Sequence, residues 1–226
     1  MAGMLRTLAI DTATPACSVA LFGGDTLISS DYAKIGRGHA ERLVPMIQSL
    51  PGKGHADRIM VNIGPGSFTG IRVGISAARA LALAWDAECS GYSCLSLVAA
   101  MANAQQPAAR QPAPGSAIDV AMIAGHGEFF FQSFSSECLP TSDIVSLSPA
   151  GAAAMSAAGI LAGNAAVQLA QLRPDTTAIE LLPDARAWPL LADAPLPPSA
   201  AYIRAADATP AKPAPVIAAP AKAGSC

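Results

Sequence analysis

The sequence predicts an α/β protein built on a mixed sheet, and three observations carry that prediction. The runs LRTLAIDT and PACSVALFGGDT read as two strands, the second closed by a Gly-Gly-Asp turn. RIMVNIG, from Arg58 to Gly64, is a continuous apolar run, the mark of a central strand covered on both faces. Between and after these lie segments with helical spacing, such as HAERLVPMIQSL, which sets Ala40, Leu43, Val44, Ile47 and Leu50 on one face.

The elements follow in order. LISSDYAKI is a third strand that pairs with the second as a hairpin, and Pro51-Gly52 stops the HAERLVPMIQSL helix. GPGSFTGIR leads from RIMVNIG into a helix ending near Trp85, and a further strand and helix run through GYSCLSLVAAMA. Three strands, helix, strand, helix, strand, helix is the order of a ribonuclease-H-like lobe, assigned here to residues 1–104. The stretch Gln105 to Ser116 is rich in Pro, Ala and Gln without an apolar period and reads as a linker, 105–116. A smaller second lobe, 117–204, opens with AIDVAMIA and EFFFQSF as a strand pair. It continues through short helices around Pro149 to Ala158 and Ala165 to Leu172 and ends near YIR. The Pro- and Ala-rich tail 205–226 has too few large side chains to offset its ordering entropy and is expected to be disordered.

Composition narrows the function classes. The chain has 226 residues, of which 52% are hydrophobic but only 5% aromatic, so alanine dominates and close helix packing is expected over an aromatic-lined pocket. A net charge of −2 excludes the broad basic surface that direct phosphate neutralisation needs. MAGMLRTLAI reads as a first strand and not a signal peptide, and the uncharged run from Ile144 to Leu172 is interrupted by Ser146, Ser148, Pro149, Asn164 and Gln168. No membrane association is expected. Cys17, Cys89, Cys94, Cys138 and Cys226 are odd in number and form no CxxC pair, which fits a reducing cytoplasm and no zinc site.

Two motifs bear on chemistry. GPGSFTG lies between a strand and a helix, where backbone N–H groups can bind an anion, with Gly66, Ser67 and Thr69 as candidate contacts. It is neither GxxxxGK[ST] nor GxGxxG, and the alternative is a tight turn with Ser67 or Thr69 capping the helix. In IDTATPACSVAL, Asp11, Thr12 and Thr14 resemble the first-strand arrangement by which the actin and sugar-kinase superfamily presents a carboxylate to magnesium and backbone amides to phosphate; the alternative is that Asx-type bonding caps a turn. The helix after GPGSFTG shows Ile71, Ile75, Ala78, Ala82 and Trp85 on one apolar face and Gly70, Gly74, Ala77, Leu81 and Ala84 on another. Arg72, Ser76 and Arg79 form a polar stripe. A helix on a sheet needs one such face, so the second is expected to meet the HAERLVPMIQSL helix or a partner chain.

AIDTATPACSVAL, GHAERLVPMI, GPGSFTGIRVGISAARALA and the terminal YIR together resemble the TsaB family, also called YeaZ, of bacterial tRNA threonylcarbamoyladenosine biosynthesis. The resemblance is specific over roughly the first hundred residues and rests in the second lobe on LAGNAA and YIR. It implies two ribonuclease-H-like lobes of the actin and sugar-kinase (ASKHA) type, the second reduced, with a degenerate nucleotide cleft. It further implies a non-catalytic, cytoplasmic subunit that binds a TsaD-type catalytic subunit, with a TsaE-type ATPase in the cycle and tRNA reached through the complex. ATP or ADP could then lie at the partner interface, with none bound by the isolated chain, and the chain could form a homodimer when alone. The implied interface lies in the first-lobe helices: His39, Leu43, Ile47, Ile71, Arg72, Gly74, Ile75, Ala78, Arg79 and Ala82.

The sequence also departs from that family. Where it often carries Asp-Ala-Arg ahead of Gly-Glu and aromatics, this chain reads IAGHGEFFF, so Ile123 replaces the acid, Gly125 the arginine, and Glu128 alone remains. A metallopeptidase reading fails on spacing, because His39 is followed four residues on by Leu43, with His55 and His126 in other segments. A small-molecule kinase or ATPase of the same fold is the enzyme alternative.

Overall fold

The computed structural model describes residues 4–106, 117–191 and 195–203. Strand β1 (Arg6–Asp11) is apolar on both faces: Leu8 and Ile10 pack toward one side and Ala9 toward the other. It therefore sits inside its sheet. β2 (Ala16–Gly23) and β3 (Thr26–Lys34) extend the sheet antiparallel on one side; β4 (Arg58–Asn62) and β5 (Glu88–Tyr92) extend it parallel on the other. The order is β3-β2-β1-β4-β5. Helices α1 (His39–Ser49) and α2 (Phe68–Trp85) cover the Leu8 and Ile10 face, joined there by Val19, Leu21, Ile59 and Val61.

The second sheet repeats this plan. β6 (Ile118–Gly125) and β7 (Glu128–Phe134) form the hairpin, β8 (Val145–Leu147) adds to it antiparallel, and β9 (Ile160–Ala162) and β10 (Thr177–Ile179) add parallel beyond β6. The order β10-β9-β6-β7-β8 mirrors the first sheet strand for strand. The chain is thus an α/β protein of two ribonuclease-H-like lobes of the actin and sugar-kinase type, the second reduced. β8, β9 and β10 have three residues each, too short for a period of two to show in the sequence.

The second-lobe helices are shorter than the sequence predicts: α4 is Pro149–Met155 and α5 is Ala166–Ala170. Buried Asp119 ends α4. Its Oδ2 accepts hydrogen bonds from Ser156 Oγ at 2.7 Å and from the backbone N–H groups of Ala157 and Ala158 at 3.0 Å each, so the chain turns away.

Helix α3 (Cys94–Ala104) joins the lobes physically. Its buried residues Leu95, Val98, Ala99 and Ala102 share one core with Ile118, Val120, Met122, Phe130 and Phe134 of the second lobe. The segment after the second sheet also returns to the first lobe. Ala185 donates its N–H to Ser18 Oγ at 2.9 Å, and Leu196 pairs with Gly91 across an isolated bridge. Ala201 donates to the Ile63 carbonyl at 2.9 Å. The 117–204 boundary therefore needs amending, since the residues from about Ala185 onward pack on the first sheet. Of the 105–116 linker only Gln105 and Gln106 are described, and the 205–226 tail lies outside the described residues.

Candidate functional site

The two motif loops meet. The loop after β1 and the N-terminus of α2 approach so closely that only glycine fits between them. A Cβ on Gly66 would overlap the Ala13 carbonyl oxygen, one on Gly70 the Thr12 carbonyl oxygen, and one on Gly74 the Thr12 hydroxyl. Thr12 Oγ1 donates to the Gly70 carbonyl at 2.7 Å, and Ser67 N–H donates to the Ala13 carbonyl at 2.7 Å. Ser67 caps α2, its Oγ accepting from Gly70 N–H, while Thr69 faces solvent. In GPGSFTGIR the glycines thus seat a helix against a hairpin.

Asp11 is fully buried. Its Oδ2 accepts from Asn62 Nδ2 at 2.6 Å and from Tyr92 Oη at 3.4 Å, and its Oδ1 accepts from Ala13 N–H at 3.2 Å. Burial raises its pKa to about 7, against the lowering effect of the Asn62, Ala13 and Tyr92 bonds. Asn62 in turn accepts from Gly64 N–H at 2.7 Å, tying the end of β4 into the same network. Asp11 is a turn-capping group inside the protein and not a carboxylate presented to a ligand, and Thr12 is likewise buried and bonded.

The helix residues expected at an interface fall into two groups. His39 is buried, with Nε2 at 2.8 Å from the Thr14 carbonyl and 3.2 Å from the Ala16 carbonyl. Two carbonyl acceptors require Nε2 to carry the proton, and the ring pins the start of α1 to the β1–β2 hairpin. Leu43, Ile47, Ile71, Gly74, Ile75 and Ala78 are buried within this chain, and Ala82 is half-buried against the same core. Arg72 and Arg79 are exposed. The second α2 stripe, expected to meet α1 or a partner chain, lies about 100° from the first, so the two are adjacent halves of one broad face. The sheet, the Thr12 loop and α1 cover it except at Ala84. What α2 leaves bare is Ala80, Ala84 and Leu83, the last 88% exposed, while α1 exposes Val44. Among the described residues no His, Cys, Asp and Glu side chains gather in a group able to hold a metal, and no helix is long and apolar enough to cross a membrane.

A cleft of about 800 Å³ opens between the lobes. Thr14, Gly66 and Ser67 form its first-lobe wall, Met122, Ile123 and Phe130 its second-lobe wall, and Ala201 to Ile203 one end. Sequence reasoning favoured helix packing over an aromatic-lined pocket; the close packing at Gly66, Gly70 and Gly74 exists, and so does this pocket, which Phe68, Phe130 and Tyr202 help to line. Arg72 stacks its guanidinium 3.6 Å from the Phe68 ring centre and donates from Nε to Tyr202 Oη at 2.9 Å. Phe68, Tyr202, His126 and Asn164 were not singled out as site residues. They come from four distant segments, and no local pattern brings them together. Among the described residues the lining contains no Asp, Glu or Lys, so these residues do not themselves fit a magnesium-bound polyphosphate.

Known proteins share this arrangement. The family described as TsaD, tRNA N6-adenosine threonylcarbamoyltransferase, matches residues 33–168, more than half of the chain. The TsaB protein of Escherichia coli is 40% identical over 100 residues, covering 42% of this chain and 43% of that protein; the Bacillus subtilis TsaB is 35% identical over 101 residues, covering 42% and 44%. The solved structure of YeaZ from Pseudomonas aeruginosa superposes with a TM-score of 0.67 at 27% identity over 84% of this chain and 91% of that one. The chain belongs to the TsaB (YeaZ) family. A second structure, of an uncharacterized protein with similarity to peptidase YeaZ from Pseudomonas aeruginosa, gives a TM-score of 0.70 at 26% identity, covering 89% of this chain and all of that one. The matched stretch spans less than half the length of the curated TsaB relatives.

Proposed function

We propose that this chain serves threonylcarbamoyladenosine formation in tRNA as a non-catalytic, cytoplasmic subunit that docks a TsaD-type catalytic protein. It would reach tRNA, and the TsaE-type ATPase, only through that complex. The observation that carries the non-catalytic part is Asp11: the one acid at the first-strand position is enclosed and bonded to Asn62, Tyr92 and Ala13. The kinase alternative would need that acid, or another, in the cleft. Docking in this reading uses the bare sides of α1 and α2, around Val44, Ala80, Leu83 and Ala84, with Arg79 beside them. The same surface would carry self-association of the free chain. ATP or ADP, where the complex needs it, belongs to the boundary with the partner.

Mixing the purified chain with a TsaD-type protein in a calorimeter tests this. A stable complex is expected, and Leu83→Glu should weaken it at least about tenfold, since a charge at a dry contact costs more than 1.4 kcal/mol. Val167→Glu on α5 of the second lobe should leave affinity unchanged. Normal binding by Leu83→Glu, or ATP turnover by the isolated chain, would overturn the reading.

A further inference from the structure

We infer that the interlobe cleft is a binding site for a small apolar carboxylate, with Arg72 as the group that recognises the anion. Three observations on the cleft converge. Its walls are largely apolar, formed by the buried Ile71, Met122 and Phe130, by the exposed Ile123, and by the Phe68 and Tyr202 rings. Its volume of about 800 Å³ lies in the range of small-molecule pockets, and its two walls come from different lobes locked together by a common core.

The third observation is charge. Among the described residues no acidic side chain lines the cleft and no carboxylate pairs with Arg72. Stacking on Phe68 and the bond from Nε to Tyr202 Oη fix the guanidinium plane while leaving its two terminal NH₂ groups for a ligand. A guanidinium held in this way is matched by the two oxygens of a carboxylate. Asn164 adds a polar point on the opposite wall, where its Oδ1 accepts from Ile123 N–H at 2.9 Å and its amide NH₂ can donate to an oxygen of the ligand body. The chemistry excludes a cation, which would meet Arg72 and no acid. Among the described lining residues a polyphosphate would meet Arg72 and no lysine, a weaker match than a single carboxylate.

The test uses the full chain with 2-naphthoate and its neutral analogue 2-naphthamide as probes, titrated at pH 7.5 and followed by the methyl signals of Ile71, Met122 and Ile123. The carboxylate should bind about tenfold more tightly than the amide, the increment of one charge-assisted bidentate contact. Both should shift those methyl signals. Arg72→Gln should remove the preference while keeping the thermal midpoint, and Arg72→Lys should retain part of it. Equal affinity for the two probes, no binding of either, an unchanged preference in Arg72→Gln, or shifts centred on Leu83 instead would each overturn the site. None of these readouts involves a protein partner, so the outcome is separate from the docking reading.

Discussion

Asp11 and His39 are the two residues whose side chains most directly hold the first lobe's hairpin in place. Asp11 has a native pKa raised from 3.8 to about 7, chiefly by burial. A raised acid holds its proton in the folded state after the unfolded chain has released it. Its contribution to stability is therefore complete below the unfolded pKa and is lost as pH rises through the native one, by up to about 4 kcal/mol at 1.36 kcal/mol per unit. Asp11→Asn cannot ionise. The urea midpoint of the parent should fall between about pH 4 and pH 7 relative to Asp11→Asn, and the difference should level off above about pH 7. A constant difference across that window would show that the carboxyl is ionised throughout. His39 is tested by shape: His39→Ala leaves the Thr14 and Ala16 carbonyls without their donor and should cost about 1–3 kcal/mol. His39→Gln places an N–H near the same point and should recover more of that loss in thermal melts than His39→Leu, which fills the space without a donor, whereas a purely packing role would favour leucine.

At the scale of the element, α2 shows what a sequence can and cannot say. Its end near Trp85, a capping hydroxyl at Ser67 or Thr69 and its apolar composition were readable from GPGSFTGIRVGISAARALALAW, as was its place after a buried strand; the structure picks Ser67. Its environment was not, because 3.6-residue periodicity shows how many faces are apolar and nothing about what lies on each. The stripe Gly70, Gly74, Ala77 reads as a seat for another helix; Gly70 and Gly74 actually meet Thr12, which a turn motif supplies 58 positions before Gly70. The same limit hid the cleft, whose lining residues sit in segments that only the fold brings together. Gly70→Ala separates the two accounts. In a free helix face it should stabilise by about 1 kcal/mol through helix propensity. Against the Thr12 carbonyl oxygen the added methyl should cost about 3 kcal/mol or more, as overpacking against backbone does. The net expectation is a loss of about 2 kcal/mol, seen as a melting temperature lower by about 4–8 °C. A higher melting temperature would mean that the contact is loose.

For the whole molecule, the decisive feature is that the two sheets are not joined by a tether alone. The strand order of the first lobe was legible because its strands are five to nine residues long, while three of the second lobe's five strands are too short to announce themselves. What no local pattern could reveal is that α3 is buried against both sheets and that the segment from Ala185 to Ile203 returns to the first. A lobe whose helix is also its neighbour's wall loses that wall when the neighbour unfolds. The two lobes should therefore melt as one cooperative unit. The two tryptophans make this measurable, since Trp85 stacks beside His55 at 5.0 Å and Trp188 lies 5.6 Å from Phe22, so both report on the first lobe. Leu161→Ala removes a fully buried side chain from the second lobe's own cluster and should cost about 2–5 kcal/mol. In a coupled molecule it lowers the tryptophan-fluorescence midpoint and the far-ultraviolet circular dichroism midpoint together. Independent lobes would leave the fluorescence transition where the parent has it and split the dichroism curve into two steps, which would overturn the shared-core account.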